Sequence, residues 1–311
     1  MSPKPFRESS HLLMDGAALR ERLSEDGYLF VRGLIPRADI LNVRHRLLTI
    51  AANADWLDKN SPVIDGLMDL NFDSKSGDEQ TRLTIAKMWG DEELHRLRTH
   101  PNVLSLFERI FQQPVLTHPN FFLRRFFPNA APTQSHQDHV HVGGGDFFTM
   151  WTPLGDCSVE QGVLSIAASS HKEGVFKSAF AGMDIAHDFK DQWVAGPVSA
   201  GDALIFTNLT VHKSLPNQTH QIRLSLDARY QCATQPIANF SVSPPAWDSG
   251  CADWESVYTK WSSQHEQFYW KELNPRIVDF DRKYYEADYP RAFKIAKDGD
   301  PSMRTLLLRL I

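Results

Sequence analysis

The chain has 311 residues, 42% hydrophobic and 23% charged, which is enough to bury one large core. A formal charge of −5 and a pI near 6.2 argue against broad affinity for nucleic acid. No run of about 18 apolar residues offers a membrane span; the start lacks a signal-peptide stretch, and Cys157, Cys232 and Cys251 lack CxxC spacing, as in a cytoplasmic protein with reduced thiols.

Residues 17–23 have helical composition, and Gly27 stands where that helix should stop. Residues 28–31 form a short β-rich run. Pro36 precedes a helix expected over 38–51, with Ile40, Leu41, Val43, Leu47 and Leu48 as its apolar face. The Gly/Asp/Ser-rich stretch 53–80 reads as a long loop able to approach a ligand, and 92–111 as a further helix. From about residue 115, β-branched and aromatic runs alternate with Gly, Pro and Asn. Strands are expected at 120–127, 147–153, 162–166, 203–206 and 222–231. The last alternates: Ile222, Leu224, Leu226, Ala228 and Tyr230 share one face, and Arg223, Ser225, Asp227 and Arg229 the other.

Beyond Cys232, Trp247, Trp254, Trp261 and Phe268 recur every seven residues with Tyr258 between them, an aromatic helical stripe expected to pack on the β core. There are no repeats. The expected organisation is one domain over 1–311: a β core at about 115–231, N-terminal support over 1–114 and an aromatic extension over 232–311.

The stretch Ser135-His136-Gln137-Asp138-His139-Val140-His141 carries the chemistry. On extended chain, His136 and Asp138 point the same way, and two histidines with one carboxylate leave coordination positions open for iron(II). His212, after the 203–206 strand and before the Pro216-Asn217 turn, is the best third ligand, near a strand end in an expected hairpin. A lone His-x-Asp is a weak pattern, and His139 with His141 forms a competing pair. Ser214 and, across that hairpin, Arg223 strengthen the reading. Arginine's planar fork suits the distal carboxylate of 2-oxoglutarate, and a serine hydroxyl adds a donor. Arg229, on the same face, is an alternative to Arg223.

These residues resemble the phytanoyl-CoA dioxygenase family of iron(II)/2-oxoglutarate oxygenases over most of 15–231. The resemblance begins at Leu23-Ser24-Glu25-Asp26-Gly27-Tyr28-Leu29-Phe30-Val31-Arg32-Gly33-Leu34 and continues with His136-Gln137-Asp138, Trp151-Thr152-Pro153-Leu154 and Glu160-Gln161-Gly162-Val163-Leu164. It ends with Ser169-Ser170-His171-Lys172, Gly201-Asp202-Ala203-Leu204-Ile205-Phe206, and His212-Lys213-Ser214 followed by Asn217 and Arg223. Ala167-Ala168 stands where the family has Pro-Gly, and the loop His139 to Gly145 is unusual.

The resemblance implies a double-stranded β-helix (jelly-roll, cupin-like) core, mainly β, flanked by N-terminal and C-terminal helices. It implies iron held by His136, Asp138 and His212, and 2-oxoglutarate contacted by Trp151, Ser214 and Arg223, with dioxygen as oxidant. The expected reaction is hydroxylation of a C–H bond of a small molecule, with desaturation, cyclisation or epimerisation as alternative outcomes. Asp138 argues against halogenation, which resembles this chemistry with the carboxylate replaced by Gly or Ala. Rival classes are a cupin-like metalloenzyme without 2-oxoglutarate and a non-catalytic binding protein. Candidate substrate contacts are Asn120, Phe122, Arg124, Arg125, the loop 65–73, His139, Gly143-Gly144-Gly145 and Asp146. Lys87, on an expected early strand, is a further candidate for the cosubstrate carboxylate, and His171 is expected in a turn away from the metal.

Overall fold

The computed structural model describes residues 3–74, 77–142, 146–175, 189–245, 250–251 and 253–279. Helix α1 (Gly16–Asp26) starts at Asp15, whose carboxylate accepts from the N–H groups of Ala17 and Ala18. It stops at Gly27, left-handed at φ 77°, leading into β1 (Tyr28–Val31). Helix α2 (Arg37–Ala52) follows Pro36 and buries Ile40, Val43, Leu47 and Leu48. The stretch expected as an open loop holds more structure: a bridge from Leu57 to Met68, a 3-10 turn at Val63–Asp65, and the start of α3 (Glu79–Trp89). Lys87 therefore lies on a helix and not on an early strand. The helix expected over 92–111 is two, α4 (Glu92–Arg98) and α5 (Pro101–Phe111). Pro101 has no N–H to donate and pushes His100 out of helical geometry, so the chain restarts there.

The larger sheet has the order β1–β7–β4–β9–β2, with β7 at Ala203–Thr207, β4 at Phe148–Pro153, β9 at Arg223–Cys232 and β2 at Val115–Thr117; β3 (Phe122–Phe126) also pairs with β9. The expected strand at 120–127 is thus shortened by a bulge. Thr117 faces Tyr230 and His118 N–H donates to Arg229 C=O, yet Phe122 faces Asp227, so Pro119, Asn120 and Phe121 stand opposite Ala228 alone. A second sheet has the order β6–β5–β8, with β6 at Trp193–Val194, β5 at Leu164–Ala167 and β8 at His212–Ser214.

The alternation in β9 sorts its two faces. Ile222, Leu224, Leu226, Ala228 and Tyr230 join the core built with Leu47, Phe107 and Ile110 of the helices. Each such side chain contributes roughly 1.5–3 kcal/mol on burial. The opposite face looks into the space between the sheets, where Tyr28, Phe30, Trp151, Leu204 and Phe206 of the larger sheet meet Leu164, Ile166 and Val194 of the smaller. The functional residues line that space.

The expected hairpin between His212 and Arg223 is not formed. β8 pairs with β5, and β9 belongs to the other sheet. Asn217 makes the crossing: its Nδ2 donates to the carbonyls of Phe126 and Gln221, and its Oδ1 accepts from Thr219. Ser214 and Arg223 therefore meet from facing sheets.

The aromatic stripe packs on the core as expected, but not as one helix. Trp254 and Tyr258 sit on a single helix, Trp254–Tyr258, and Ser262 and Ser263 then break the run by donating their N–H groups to Glu92. Trp254 lies 5.7 Å from the Trp89 ring, and the Trp261 indole donates to Gly90 C=O at 3.0 Å. Trp247 lies outside the described residues. Among the described residues no helix is long and apolar enough to cross a membrane.

Candidate functional site

His136 is bridged to His212 by a reciprocal pair of backbone hydrogen bonds, His136 N–H to His212 C=O at 3.1 Å and the reverse at 3.0 Å. That pairing brings the two rings to a centroid separation of 4.3 Å. Each ring has one nitrogen committed to backbone: His136 Nδ1 lies 2.9 Å from Gln134 C=O, and His212 Nδ1 lies 3.0 Å from Thr210 C=O. A carbonyl only accepts, so Nδ1 carries the proton and the lone pair is left on Nε2. Both Nε2 atoms face Asp138 Oδ1, at 3.8 Å from His136 and 3.7 Å from His212. The three ligand atoms lie within 4.8 Å of one another, a separation one metal ion can span.

The second oxygen of Asp138 is held from behind. Oδ2 accepts from the Thr149 hydroxyl and from Arg229 Nη2 at 3.3 Å. Burial works against the charge on Asp138, but Arg229 and the two histidines hold it well below the usual carboxylate range. Burial, with His212 adding to it, lowers His136 to about 4, and burial also lowers His212. A carboxylate beside two neutral imidazoles is the protonation state a divalent ion binds.

The competing pair is not in this cluster. His139 and His141 lie on α6 (His139–Val142), which begins where Asp138 C=O accepts from the N–H groups of His141 and Val142, and His139 Nδ1 lies 3.2 Å from Asn208 Nδ2. Gln137 donates to Gly174 C=O and Leu209 C=O, outside this cluster, tying down the loop that precedes His212. His171 faces Ser24 C=O in a turn, as expected.

Arg223 is 3% exposed and has no ion-pair partner among the described residues. Its Nη1 donates to Ser225 Oγ at 2.6 Å and its Nη2 to Ser214 Oγ at 3.0 Å, while Nε is buried without a partner. The guanidinium lies 4.7 Å from the Phe126 ring and 5.6 Å from that of Trp151, whose indole N–H donates to Ser225 Oγ at 3.0 Å. Burial lowers the Arg223 pKa. A buried cation hydrogen-bonded to neutral hydroxyls fits a small molecule's carboxylate, so the donor set suits the far end of 2-oxoglutarate. Arg229, the alternative to Arg223, is engaged with Asp138 instead.

Sequence reasoning missed Ser225 and Thr149 as site residues. Ser225 stood on the polar face of β9 beside Arg223, which was signal enough to include it. Thr149 carried no such signal, since it sits in a strand buried along its whole length. Of the substrate candidates, Arg124 is paired with Asp227 at 2.8 Å, Asp146 is pushed up to about 6 by burial, and Gly143-Gly144-Gly145 lies outside the described residues.

The profile of the phytanoyl-CoA dioxygenase family matches residues 23–225. The 1-deoxypentalenic acid 11-beta-hydroxylase of Streptomyces exfoliatus is 27% identical over 272 residues, covering 80% of this chain and 92% of that protein. The enzyme of the same name from Streptomyces arenae is 26% identical over 279 residues, with the same coverage. Among solved structures, the epimerase SnoN in complex with Fe3+, alpha ketoglutarate and nogalamycin RO is similar with a TM-score of 0.53 at 21% identity, over 72% of this chain and 86% of that one. The carbocyclase SnoK from nogalamycin biosynthesis gives 0.51 at 19% identity, over 75% and 89%. The chain belongs to the phytanoyl-CoA dioxygenase family and is an iron- and 2-oxoglutarate-dependent oxygenase.

Proposed function

We propose that this member of the phytanoyl-CoA dioxygenase family hydroxylates an unactivated C–H bond of a small-molecule metabolite or natural product, releasing succinate and carbon dioxide. His136, Asp138 and His212 are assigned as the iron ligands, and Arg223, Ser214 and Trp151, with Ser225, as the cosubstrate pocket. The whole chain acts as one domain on a double-stranded β-helix, its two sheets closing on this site. The observation that carries the reading is the distribution of charge between the sheets. One anionic oxygen faces two imidazole lone pairs, and one buried guanidinium, without an ion-pair partner among the described residues, stands on the same face of β9, six residues from the arginine behind Asp138.

Iron with bound 2-oxoglutarate supplies the oxidising power, reducing dioxygen at the cost of decarboxylating the cosubstrate. The chain's own residues orient and exclude. Thr149 and Arg229 engage Oδ2 of Asp138, so Oδ1 is the oxygen that would hold the metal beside His136 and His212. Ser214 and Ser225 hold the guanidinium fork of Arg223 in plane for a carboxylate, and Trp151 fixes Ser225 in turn. Phe126 and Trp151 keep bulk water from that ion pair, which strengthens it.

The substrate reading draws on the 1-deoxypentalenic acid 11-beta-hydroxylases named above, 92% of whose length this chain covers. A pooled-metabolite screen that reads succinate release with iron(II), 2-oxoglutarate and ascorbate tests it, followed by the product's mass. A gain of one oxygen atom is expected. A product two hydrogens lighter, or an isomer, would replace hydroxylation by desaturation, ring closure or epimerisation.

A further inference from the structure

His118 and Arg229 stand opposite each other on paired strands, His118 N–H donating to Arg229 C=O, so both side chains face the space between the sheets. Each carries an unsatisfied atom: His118 Nδ1 and Arg229 Nε are buried with no hydrogen-bond partner among the described residues, in side chains of residues 2% and 3% exposed. The polarity of both is fixed by their other contacts. Gln231 Nε2 donates to the carbonyls of Gln235 and Pro236, so Gln231 Oε1 is the end facing His118 Nε2 at 2.8 Å. An amide oxygen only accepts, so His118 carries its proton on Nε2 and shows a bare lone pair at Nδ1. Burial supports the neutral ring by lowering its pKa to about 3. Arg229 Nε–H is a donor, and its guanidinium is already turned to Asp138 through Nη2.

A third atom has the same character. Asn120, in the bulge between β2 and β3, donates from Nδ2 to Phe240 C=O at 2.9 Å, which leaves Oδ1 as an acceptor, buried and without a partner among the described residues. Two aromatic rings flank the pair: Phe147 lies 5.7 Å from the His118 ring, and the Arg229 guanidinium lies 4.5 Å from the Phe122 ring.

We propose that His118 and Arg229 form a substrate subsite that reads one neutral hydroxyl group on an otherwise apolar skeleton. A hydroxyl donates to Nδ1 and accepts from Nε–H with a single atom. A carboxylate would set its lone pairs against that of His118, and an ammonium would face the guanidinium. The subsite lies on the strand end beyond Arg229, away from Arg223, so it addresses the substrate and not the cosubstrate. This rests on the oxygenase reading above and adds the kind of group recognised.

The test uses the zinc(II)- and 2-oxoglutarate-loaded protein, which is diamagnetic, with cyclohexanol and methoxycyclohexane as probes. Affinities come from titration of the 15N-histidine resonances, and positions from soaked crystals. The alcohol should bind about tenfold more tightly than the ether, move the His118 Nδ1 resonance, and place its oxygen between Nδ1 and Nε. His118→Leu should bring the two probes to equal affinity. Equal affinities in the wild type, or a water at those atoms with the alcohol elsewhere, would overturn the proposal. Either result leaves the cofactor reading standing on its own, because that reading is tested separately, by the visible band of the same protein loaded with iron(II) and 2-oxoglutarate.

Discussion

Replacing Arg223 with methionine separates a binding role from a structural one. The guanidinium is buried, its Nε has no partner among the described residues, and its hydrogen bonds there go to two serine hydroxyls. Methionine fills most of the same space without a buried charge, so the melting temperature should stay within a few degrees or rise. Cosubstrate binding should move the other way. Removing one member of a buried, hydrogen-bonded charge pair costs about 2–5 kcal/mol, and about 3 kcal/mol corresponds to a Kd raised roughly 150-fold. Titration of 2-oxoglutarate into the manganese-loaded protein measures this directly. Thermal shift gives a second reading, since ligand at about 100 times Kd adds about 2.7 kcal/mol of stability to the wild type. That increment should vanish in Arg223→Met at the same concentration. A variant that kept cosubstrate affinity within threefold would refute the assignment, whatever its stability.

Asp138→Ala should abolish iron binding and 2-oxoglutarate-dependent succinate formation, read by metal titration and product analysis; retention of both would move the metal site elsewhere. Thr149→Val, close to isosteric, removes one hydrogen bond to Asp138 Oδ2 and should weaken iron affinity about tenfold without unfolding the protein; unchanged affinity would deny Thr149 a positioning role. Gly27→Ala places a methyl 2.4 Å from His171 Nδ1 at a left-handed φ, and should cost about 2–3 kcal/mol, seen as a lower denaturation midpoint.

The histidines predict the pH dependence. Burial lowers His118 to about 3 and His136, His139 and His171 to about 4, and also lowers His95 and His212. The unfolded chain protonates these rings near pH 6.5 and the folded one does not, so the unfolded state binds more protons below that pH. Stability of the metal-free protein should therefore fall as pH drops from about 6.5 toward 4, with proton uptake on unfolding at pH 5 measured calorimetrically. Uptake below about two protons would contradict the burial of these rings.

Much of this site was legible because its motifs are local. His136 and Asp138 are two residues apart, and the alternation in 222–231 placed Arg223 on a polar face that the structure turns inward. What the sequence could not convey was the crossing between sheets. Two short strands joined by Pro216-Asn217 read as a hairpin, and only the hydrogen bonds of Asn217 to Phe126 and Gln221 reveal that they part. The bulge at Pro119–Phe121 was hidden for a related reason, because its residues have ordinary strand composition and the mismatch appears only when β2 and β3 both register on β9. The seven-residue aromatic spacing marked a packed face correctly but implied a continuous helix. Glu92, distant in sequence, caps the chain at Ser262 and Ser263 and ends the helical run.

The most direct test is the visible spectrum of the anaerobic protein with iron(II) and 2-oxoglutarate. A weak charge-transfer band should appear in the wild type, be missing in Asp138→Ala at any cosubstrate concentration, and return in Arg223→Met only at much higher 2-oxoglutarate. No band in the wild type, or an undiminished band in Asp138→Ala, would contradict the assignment of these residues to the metal and its cosubstrate.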